Sequence, residues 1–469
     1  MNDIDFLSEK IPQLTARLQI EDGEGFLLFI GQGYTDKIKI PPIAFLILSL
    51  IDGTKTVAQI KEAIEKTFEI PSDKAAKQFL KLLRAFGDYI IYDDASSKKS
   101  HQEFPYPMKN SYNLAKLRRQ ISYRLREEFP SEIALIITRN CGLKCRYCFM
   151  GESIKAESYL DLDIWQKVVS EAVDKGCHEV FISGGEPFLV PNLCKYILVA
   201  AQNGCNVGVS TKCRVSKDIM DQLKNSGLKK LQVSLDSPNK VTNDFLAGKE
   251  GTYNNILTTV HNAVLSNIPV ECRTVITKYN IREIPDILPL MDQFGVSQIT
   301  FNHYAASCGR YDSSLVPELE NIEKLDAWML HNSNKYHVKV RYTYGRTRWV
   351  KQSAYYLALA RPYCGAMRNA IVLREDGSVM FCNMLVNDNR FIVGNVYQNG
   401  ISEIWNSDKT NALLNPERAL FKGTDCQVCG HFDRCMESRC YLRTLLATEK
   451  IYDVDPWCIH GKHDGSLII

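Results

Sequence analysis

Three cysteines on one short stretch carry the strongest chemistry in this chain. Between Thr138 and Met150, Cys141, Cys145 and Cys148 follow a C-x3-C-x2-C spacing. Three thiolates on a tight loop can hold three corners of a cubane iron–sulfur cluster, which leaves the fourth iron open. An open metal position is where chemistry happens, by the logic that separates catalytic from structural zinc sites. A zinc site would want a second C-x2-C or a His pair close by, and neither lies near. Disulfides are not expected in a chain whose N-terminus shows no basic-then-apolar leader.

Two further stretches offer groups that suit a small charged ligand. Ser183 to Pro187 reads Ser-Gly-Gly-Glu-Pro after an apolar run. Gly184 and Gly185 would let backbone approach a ligand closely, and Glu186 could take an ammonium. Val233 to Pro238 brings Ser234 and Asp236 to the end of another such run. The C-terminal third adds Cys364, Cys382, Cys426, Cys429, Cys435, Cys440 and Cys458. Seven thiols cannot fill two cubanes at four each, so one site lacks a protein thiolate. The Cys426–Cys429 pair alone would also suit a zinc ribbon. Cys177, Cys194, Cys205, Cys213, Cys272 and Cys308 read as small buried hydrophobes, with Cys308 the one nearest the expected site.

The elements that must position these groups are legible as alternating strands and helices. Strand-like runs fall near 133–138, 179–183, 206–210, 230–235, 269–276 and 298–302, each separated by enough chain for a crossover helix. Six β/α units are too few for a closed eight-fold barrel. They predict an open partial (β/α)6 barrel of α/β class, with its site at the carboxyl ends of the strands.

Ahead of it, residues 13–20, 25–30 and 37–40 alternate as strands, with Asp22-Gly23 as a hairpin turn. Helical periodicity covers 43–51, a Thr56-capped stretch to Phe68, and 73–86, before a strand at 89–92. That order predicts a winged-helix-like N-terminal domain, a topology shared with DNA-binding helix-turn-helix proteins. Lys74, Lys77, Lys81 and Arg84 form a basic stripe on the third helix. Being mostly lysine opposite an apolar face, it reads as a solvated face rather than a base-reading one. The expected boundaries are 1–93 for this domain, 94–130 for a linker and bridging helix, 131–310 for the core, 311–360 for a bridging region and 361–469 for the cysteine-rich module.

Composition sets bounds on partners and location. The chain has 469 residues, 45% of them hydrophobic, and a net charge of +3. Nothing there demands nucleic acid or an anionic membrane. The longest apolar run, 43–51, is too short to span a bilayer. A cytoplasmic protein is expected, with no nucleic acid and no membrane as partners, where thiols stay reduced.

The C-x3-C-x2-C loop, the Gly-Gly-Glu-Pro stretch and the Ser234/Asp236 strand end together resemble the radical S-adenosylmethionine (SAM) superfamily. The resemblance implies that the open iron binds SAM, whose reductive cleavage gives a 5′-deoxyadenosyl radical that takes hydrogen from a substrate. It implies that Tyr147 lies beside the adenine. Gly184, Gly185 and Glu186 would hold the SAM amine, and Ser234 and Asp236 would approach SAM, Ser234 foremost. Relatives often carry an Arg where this chain has Leu246; Arg273 could stand in for it.

The C-terminal pattern resembles a SPASM domain, with a last cysteine gap of four residues where three is usual. That resemblance implies one cluster on Cys426, Cys429, Cys435 and Cys458 and another on Cys364, Cys382 and Cys440, hence three 4Fe-4S clusters in all. The N-terminal domain resembles the PqqD-like recognition element that captures the leader of a ribosomally made precursor peptide. The whole arrangement implies a maturase that abstracts hydrogen from such a peptide and installs a thioether or carbon–carbon crosslink. It would draw electrons from a flavodoxin- or ferredoxin-type donor. The alternatives are a peptide epimerase, a maturase of a partner enzyme, or a zinc-dependent winged-helix DNA-binding regulator.

Overall fold

In a computed structural model the chain divides into two compact units, residues 1–125 and 126–469. In the first unit the structure describes residues 10–14, 17–21, 24–31, 34–40, 44, 47–48, 50–51, 55–68, 76, 79–80, 82–83 and 90–94. In the second it describes residues 126, 128–151, 159–305, 307, 311–342, 365–430, 432–436, 439–456 and 458.

The first unit runs β1 (Lys10–Leu14), β2 (Arg17–Glu21), β3 (Glu24–Gly31), β4 (Tyr34–Ile40), helix α1 (Val57–Phe68) and β5 (Ile90–Asp94). β2, β3 and β4 form an antiparallel sheet in that order, and β1 pairs with β5. The single strand expected over 13–20 is thus two strands of different sheets. Leu14 pairs with Ile90 and Arg17 with Leu28, a choice of neighbours that alternation alone does not encode. Asp22 and Gly23 lie outside the described residues, between the paired Glu21 and Glu24. Thr56 and Gln59 exchange side-chain bonds with each other's backbone N–H, a capping box that starts α1. Its Val57, Ile60 and Ile64 are fully buried.

Among the described residues the second unit is built on ten strands. They begin β6 (Glu132–Thr138), α2 (Leu162–Asp174), β7 (Glu179–Gly184), α3 (Leu193–Gln202), β8 (Asn206–Thr211), α4 (Lys217–Asn225) and β9 (Leu228–Ser234). Helices α5 (Lys240–Ala247) and α6 (Thr252–Leu265) lead to β10 (Val270–Ile276), then α7 (Ile284–Gln293) and β11 (Gln298–His303). Strands β6 to β11 lie side by side in sequence order, all parallel. Helix α8 (Leu319–Asn332) brings β12 (Lys339–Tyr342) parallel to β11 at one edge. At the other edge β13 (Ala370–Arg374) runs parallel to β6, followed by antiparallel β14 (Ser378–Met380) and β15 (Ile392–Asn395).

The six expected parallel strands are present within about two residues of their expected ends, and the barrel is not closed. What the sequence did not reveal is that the C-terminal segment donates strands to the same sheet. The pairing of β13 with β6 joins residues more than two hundred positions apart, which local periodicity cannot encode.

Alternation explains the two faces. Ile133, Leu135, Val180, Val207, Leu231, Cys272 and Ile299 are buried in the core with Trp165, Val169 and Ile197 of the covering helices. The opposite face carries Glu132, Lys230, Glu271 and Arg273. Among the described residues no helix is long and apolar enough to cross a membrane.

Candidate active site

The cysteine loop leaves the carboxyl end of β6 and is clamped on both flanks. On one side Gly185 N–H donates to Thr138 O at 2.7 Å and Glu186 N–H to Asn140 O at 2.9 Å. Gly184 has φ +131°, and a Cβ there would stand 2.3 Å from Thr138 O; one at Gly185 would stand 2.1 Å from Asn140 O. These glycines therefore admit the backbone of the loop itself, a reason nearer at hand than ligand approach. On the other flank Lys144 N–H donates to Ala247 O at 3.2 Å and Arg146 N–H to Leu246 O at 2.9 Å. Gly248, at φ +66°, leaves room for Lys144 O. Leu246, where an Arg was the comparison, is fully buried behind the loop. Arg273 lies 3.0 Å from Glu271 in an ion pair.

Behind the loop, Tyr147 and Asp236, both expected from the sequence, join a buried charged network through Lys212, which sequence reasoning did not single out. Lys212, just past β8, and Asp236, just past β9, are 9% and 0% exposed, with Nζ 2.7 Å from Oδ2. The Tyr147 hydroxyl bonds to both. Asp236 Oδ1 accepts from Val275 N–H at 3.0 Å. Lys212 Nζ also stands 3.9 Å from Cys145 Sγ. Burial pushes the Cys145 thiol up to about 11, and the Lys212 ammonium opposes that rise. Burial likewise raises Cys141, whose sulfur accepts the Leu143 N–H at 3.4 Å. Burial alone would lower Lys212, but Asp236 and Cys145 outweigh it and raise the ammonium overall. The one sequence signal was a lysine set directly behind an apolar strand, where a buried cation needs a partner.

Glu186 is 4% exposed, and burial raises its carboxyl. It accepts Thr211 Oγ1 at 2.9 Å and Phe188 N–H at 3.2 Å on Oε1, and Lys212 N–H at 3.1 Å on Oε2. The Cys213 thiol also bonds to this carboxylate, so its roughly four acceptor positions are engaged within the protein. Ser234 closes β9 beside Arg273 and is half-buried.

A second group of sulfurs lies in the C-terminal segment, after α9 (Ile401–Trp405) and α10 (Asp408–Leu414) and around α11 (Phe432–Met436). Cys426, Cys429 and Cys458, with Asp425 and Val454, line a cavity of about 200 Å³. Cys435 and Cys458 pack with Phe421, Cys426, Phe432 and Val454. Burial raises the Cys426 thiol to about 11, opposed by Arg439. Cys382 and Cys440 pack instead against the main core, Cys440 directly before α12 (Tyr441–Thr448). Cys364 and Cys308 lie outside the described residues.

Among the described residues no three His, Cys, Asp or Glu side chains gather closely enough to chelate a single ion. The donors in both sulfur groups are thiolates, the ligands that iron–sulfur clusters take, so both fit the donor chemistry of a cluster.

Residues 135–291 match the radical SAM superfamily and residues 364–436 match the SPASM iron–sulfur cluster-binding domain. The Fe-coproporphyrin III synthase of Methanosarcina barkeri is 30% identical over 208 residues, 43% of this chain and 51% of that protein. The chain thus spans about half the length of that relative. The antilisterial bacteriocin subtilosin biosynthesis protein AlbA of Bacillus subtilis is 23% identical over 81% of each chain. The crystal structure of Streptococcus suis SuiB bound to precursor peptide SuiA superposes with TM-score 0.58 at 15% identity, over 95% of this chain and 98% of that one. The chain is an enzyme of the radical SAM type with a SPASM domain. A radical SAM domain implies SAM and a 4Fe-4S cluster, and a SPASM domain implies auxiliary iron–sulfur clusters.

Proposed function

We propose that this enzyme modifies a ribosomally made precursor peptide by hydrogen abstraction and installs a crosslink, thioether or carbon–carbon. The observation that carries this reading is the clamped C-x3-C-x2-C loop at the strand ends, joined in one sheet to a cysteine-rich C-terminal module. The fold likeness to a peptide-binding relative extends over the first unit as well, which favours peptide over porphyrin chemistry.

In this reading Cys141, Cys145 and Cys148 hold the SAM-binding cluster. One-electron cleavage of SAM at that cluster supplies the hydrogen-abstracting radical. The chain's own part is to bind and orient. Glu186, held in place by Thr211 and the Lys212 backbone, supplies the negative charge for the SAM amine. Gly184 and Gly185 set the height of the loop above it. Tyr147 keeps its ring fixed beside the adenine through Asp236 and Lys212. Ser234 lines the SAM side of the strand ends, while Asp236, fully buried, acts there by fixing Tyr147.

Cys426, Cys429, Cys435 and Cys458 hold one auxiliary cluster, and Cys364, Cys382 and Cys440 the other, which gives three in all. Residues 1–93 act as the leader-recognition element, residues 131–310 as the core and residues 361–469 as the SPASM module. A flavodoxin or ferredoxin supplies electrons, and the enzyme works in the cytoplasm.

The test is anaerobic reconstitution. The wild-type protein should hold about twelve irons and convert SAM to 5′-deoxyadenosine. Cys141→Ala/Cys145→Ala/Cys148→Ala should remove about four irons and all cleavage. Cleavage surviving in that variant would overturn the reading.

A further inference from the structure

Among the described residues Arg439 is a buried cation without a matching anion. Its side chain is 4% exposed, and among those residues only Nη2 has an acceptor, Ile451 O at 2.8 Å. Nε and Nη1 are buried with no hydrogen-bond partner among them. The guanidinium lies 4.8 Å from the ring centre of Phe421 and 5.4 Å from that of Tyr441. Cation–π contacts contribute about 0.5–2 kcal/mol each, whereas taking one ion out of water costs several kcal/mol. The rings do not offset the burial. The nearest buried carboxylate in sequence, Asp455, is already engaged by Arg443 at 2.6 and 2.9 Å.

Phe421, which carries the guanidinium over its ring, packs in one cluster with Cys426, Cys435 and Cys458. The Arg439 charge also reaches the Cys426 thiol, where it opposes the rise that burial imposes. Arg439 is, in addition, the last residue of the four-residue gap between Cys435 and Cys440, one longer than the SPASM pattern. Four thiolates on a doubly positive cubane core leave an anion, and both net charge and hydrogen bonds to sulfur set such a cluster's potential.

We infer that the guanidinium of Arg439 is the built-in counter-charge of the auxiliary cluster on Cys426, Cys429, Cys435 and Cys458, and that it holds that cluster's reduction potential up. The inference rests on the cluster reading proposed above. One-electron reduction adds a negative charge to the cluster, and a fixed cation in a low-dielectric pocket stabilises the reduced form more than the oxidised one. Arg439 is a positioning and tuning residue; it makes no claim on the substrate.

The test uses the full chain, reconstituted anaerobically, in the Cys141→Ala/Cys145→Ala/Cys148→Ala background so that only auxiliary signals remain. Arg439→Gln removes the charge and keeps donors, while Arg439→Lys keeps the charge. Redox titration followed by electron paramagnetic resonance should show one auxiliary potential moved to more negative values in Gln and largely restored in Lys. Loss of auxiliary iron in Gln with retention in Lys supports the same counter-charge. Unchanged potentials in Gln, equal lowering in both variants, or equal iron loss in both would overturn it. Adding Cys426→Ala to the same background separates the two readings. If iron does not fall there, the cluster assignment itself fails, whatever Arg439 does.

Discussion

Arg139 Nε lies 2.5 Å from Glu375 Oε1, and this ion pair fastens the loop that carries Cys141 to the turn after β13. Glu375 is 4% exposed and its Oε2 has no partner among the described residues, so the arginine is its main compensation there. The loop of the first cysteine site is thereby anchored by the C-terminal segment as well as by its own strand. Arg139→Met leaves a buried carboxylate alone, a loss of about 3–5 kcal/mol for breaking such a pair. Arg139→Met/Glu375→Met should recover most of it. Denaturant unfolding of the apoprotein checks the energies, and the rate of iron loss to a chelator checks the loop. Equal stability of the single and double variants would show that the pair carries little.

The clamp on the other side predicts a different failure. Gly184 needs φ +131°, which costs a residue with a side chain about 1–3 kcal/mol, and its Cβ would meet Thr138 O at 2.3 Å. Gly185→Ala meets Asn140 O at 2.1 Å without the φ problem. Both changes should displace the cysteine loop, lowering iron at the first site and SAM cleavage together while leaving auxiliary iron in place. Iron counts in each variant, compared with the triple cysteine variant, measure this. Wild-type cleavage in Gly185→Ala would mean that the loop yields more easily than its contacts imply.

Those contacts also show what a sequence can and cannot disclose. The six parallel strands were legible because apolar runs such as Ile133–Ile137 recur with enough chain between them for a crossover helix. The cysteine loop was legible from its spacing and its place after such a run. Arg139 and Glu375 were not, since nothing local in either residue points across 236 positions. Lys212 reads as surface until Asp236 and Tyr147 are placed around it. Phe79, Leu82 and Leu83, which give the helical stretch 73–86 an apolar face, are 0%, 6% and 5% exposed. An apolar helical face looks the same in sequence whether a partner or the protein's own core covers it.

The Lys212–Asp236 pair makes a prediction in pH. Its lysine is raised by Asp236 and Cys145 despite burial. A raised lysine contributes stability that is fully present below its unfolded value, about 10.4, and lost as pH rises through the folded one. Compared with Lys212→Met/Asp236→Asn, the wild-type advantage in melting temperature should therefore stay level from about pH 6 to 9 and shrink only above about pH 10. Lys212→Met alone strands Asp236 and should cost about 3–5 kcal/mol, more than the double change. It should also loosen Tyr147, seen as weaker SAM binding by equilibrium titration. A pair advantage that falls steadily across neutral pH would contradict the assignment.

The first unit supplies the last prediction, and the place of the cut decides whether it can be read. Arg126 belongs to the second unit, where it stacks 4.0 Å over Trp405 and donates to Met367 O at 2.9 Å. Truncation after residue 93 leaves that anchor intact, so the clusters and basal SAM cleavage should survive. The sheet β2-β3-β4 ends in β4, which pairs only with β3 among the described strands. An edge of this kind offers unpaired N–H and C=O groups to an added peptide strand. Because Phe79, Leu82 and Leu83 are buried, main-chain pairing rather than that helix face should supply the affinity. A tethered leader raises the effective concentration of the peptide at the site. Removing residues 1–93 should then lower modification of a full-length precursor at least tenfold at limiting peptide while leaving SAM cleavage within about twofold. A labelled leader should bind the full chain and not the truncated one. A backbone-methylated leader, unable to donate along one edge, should bind neither. Equal modification by the two chains at limiting peptide would remove the recognition role from this unit.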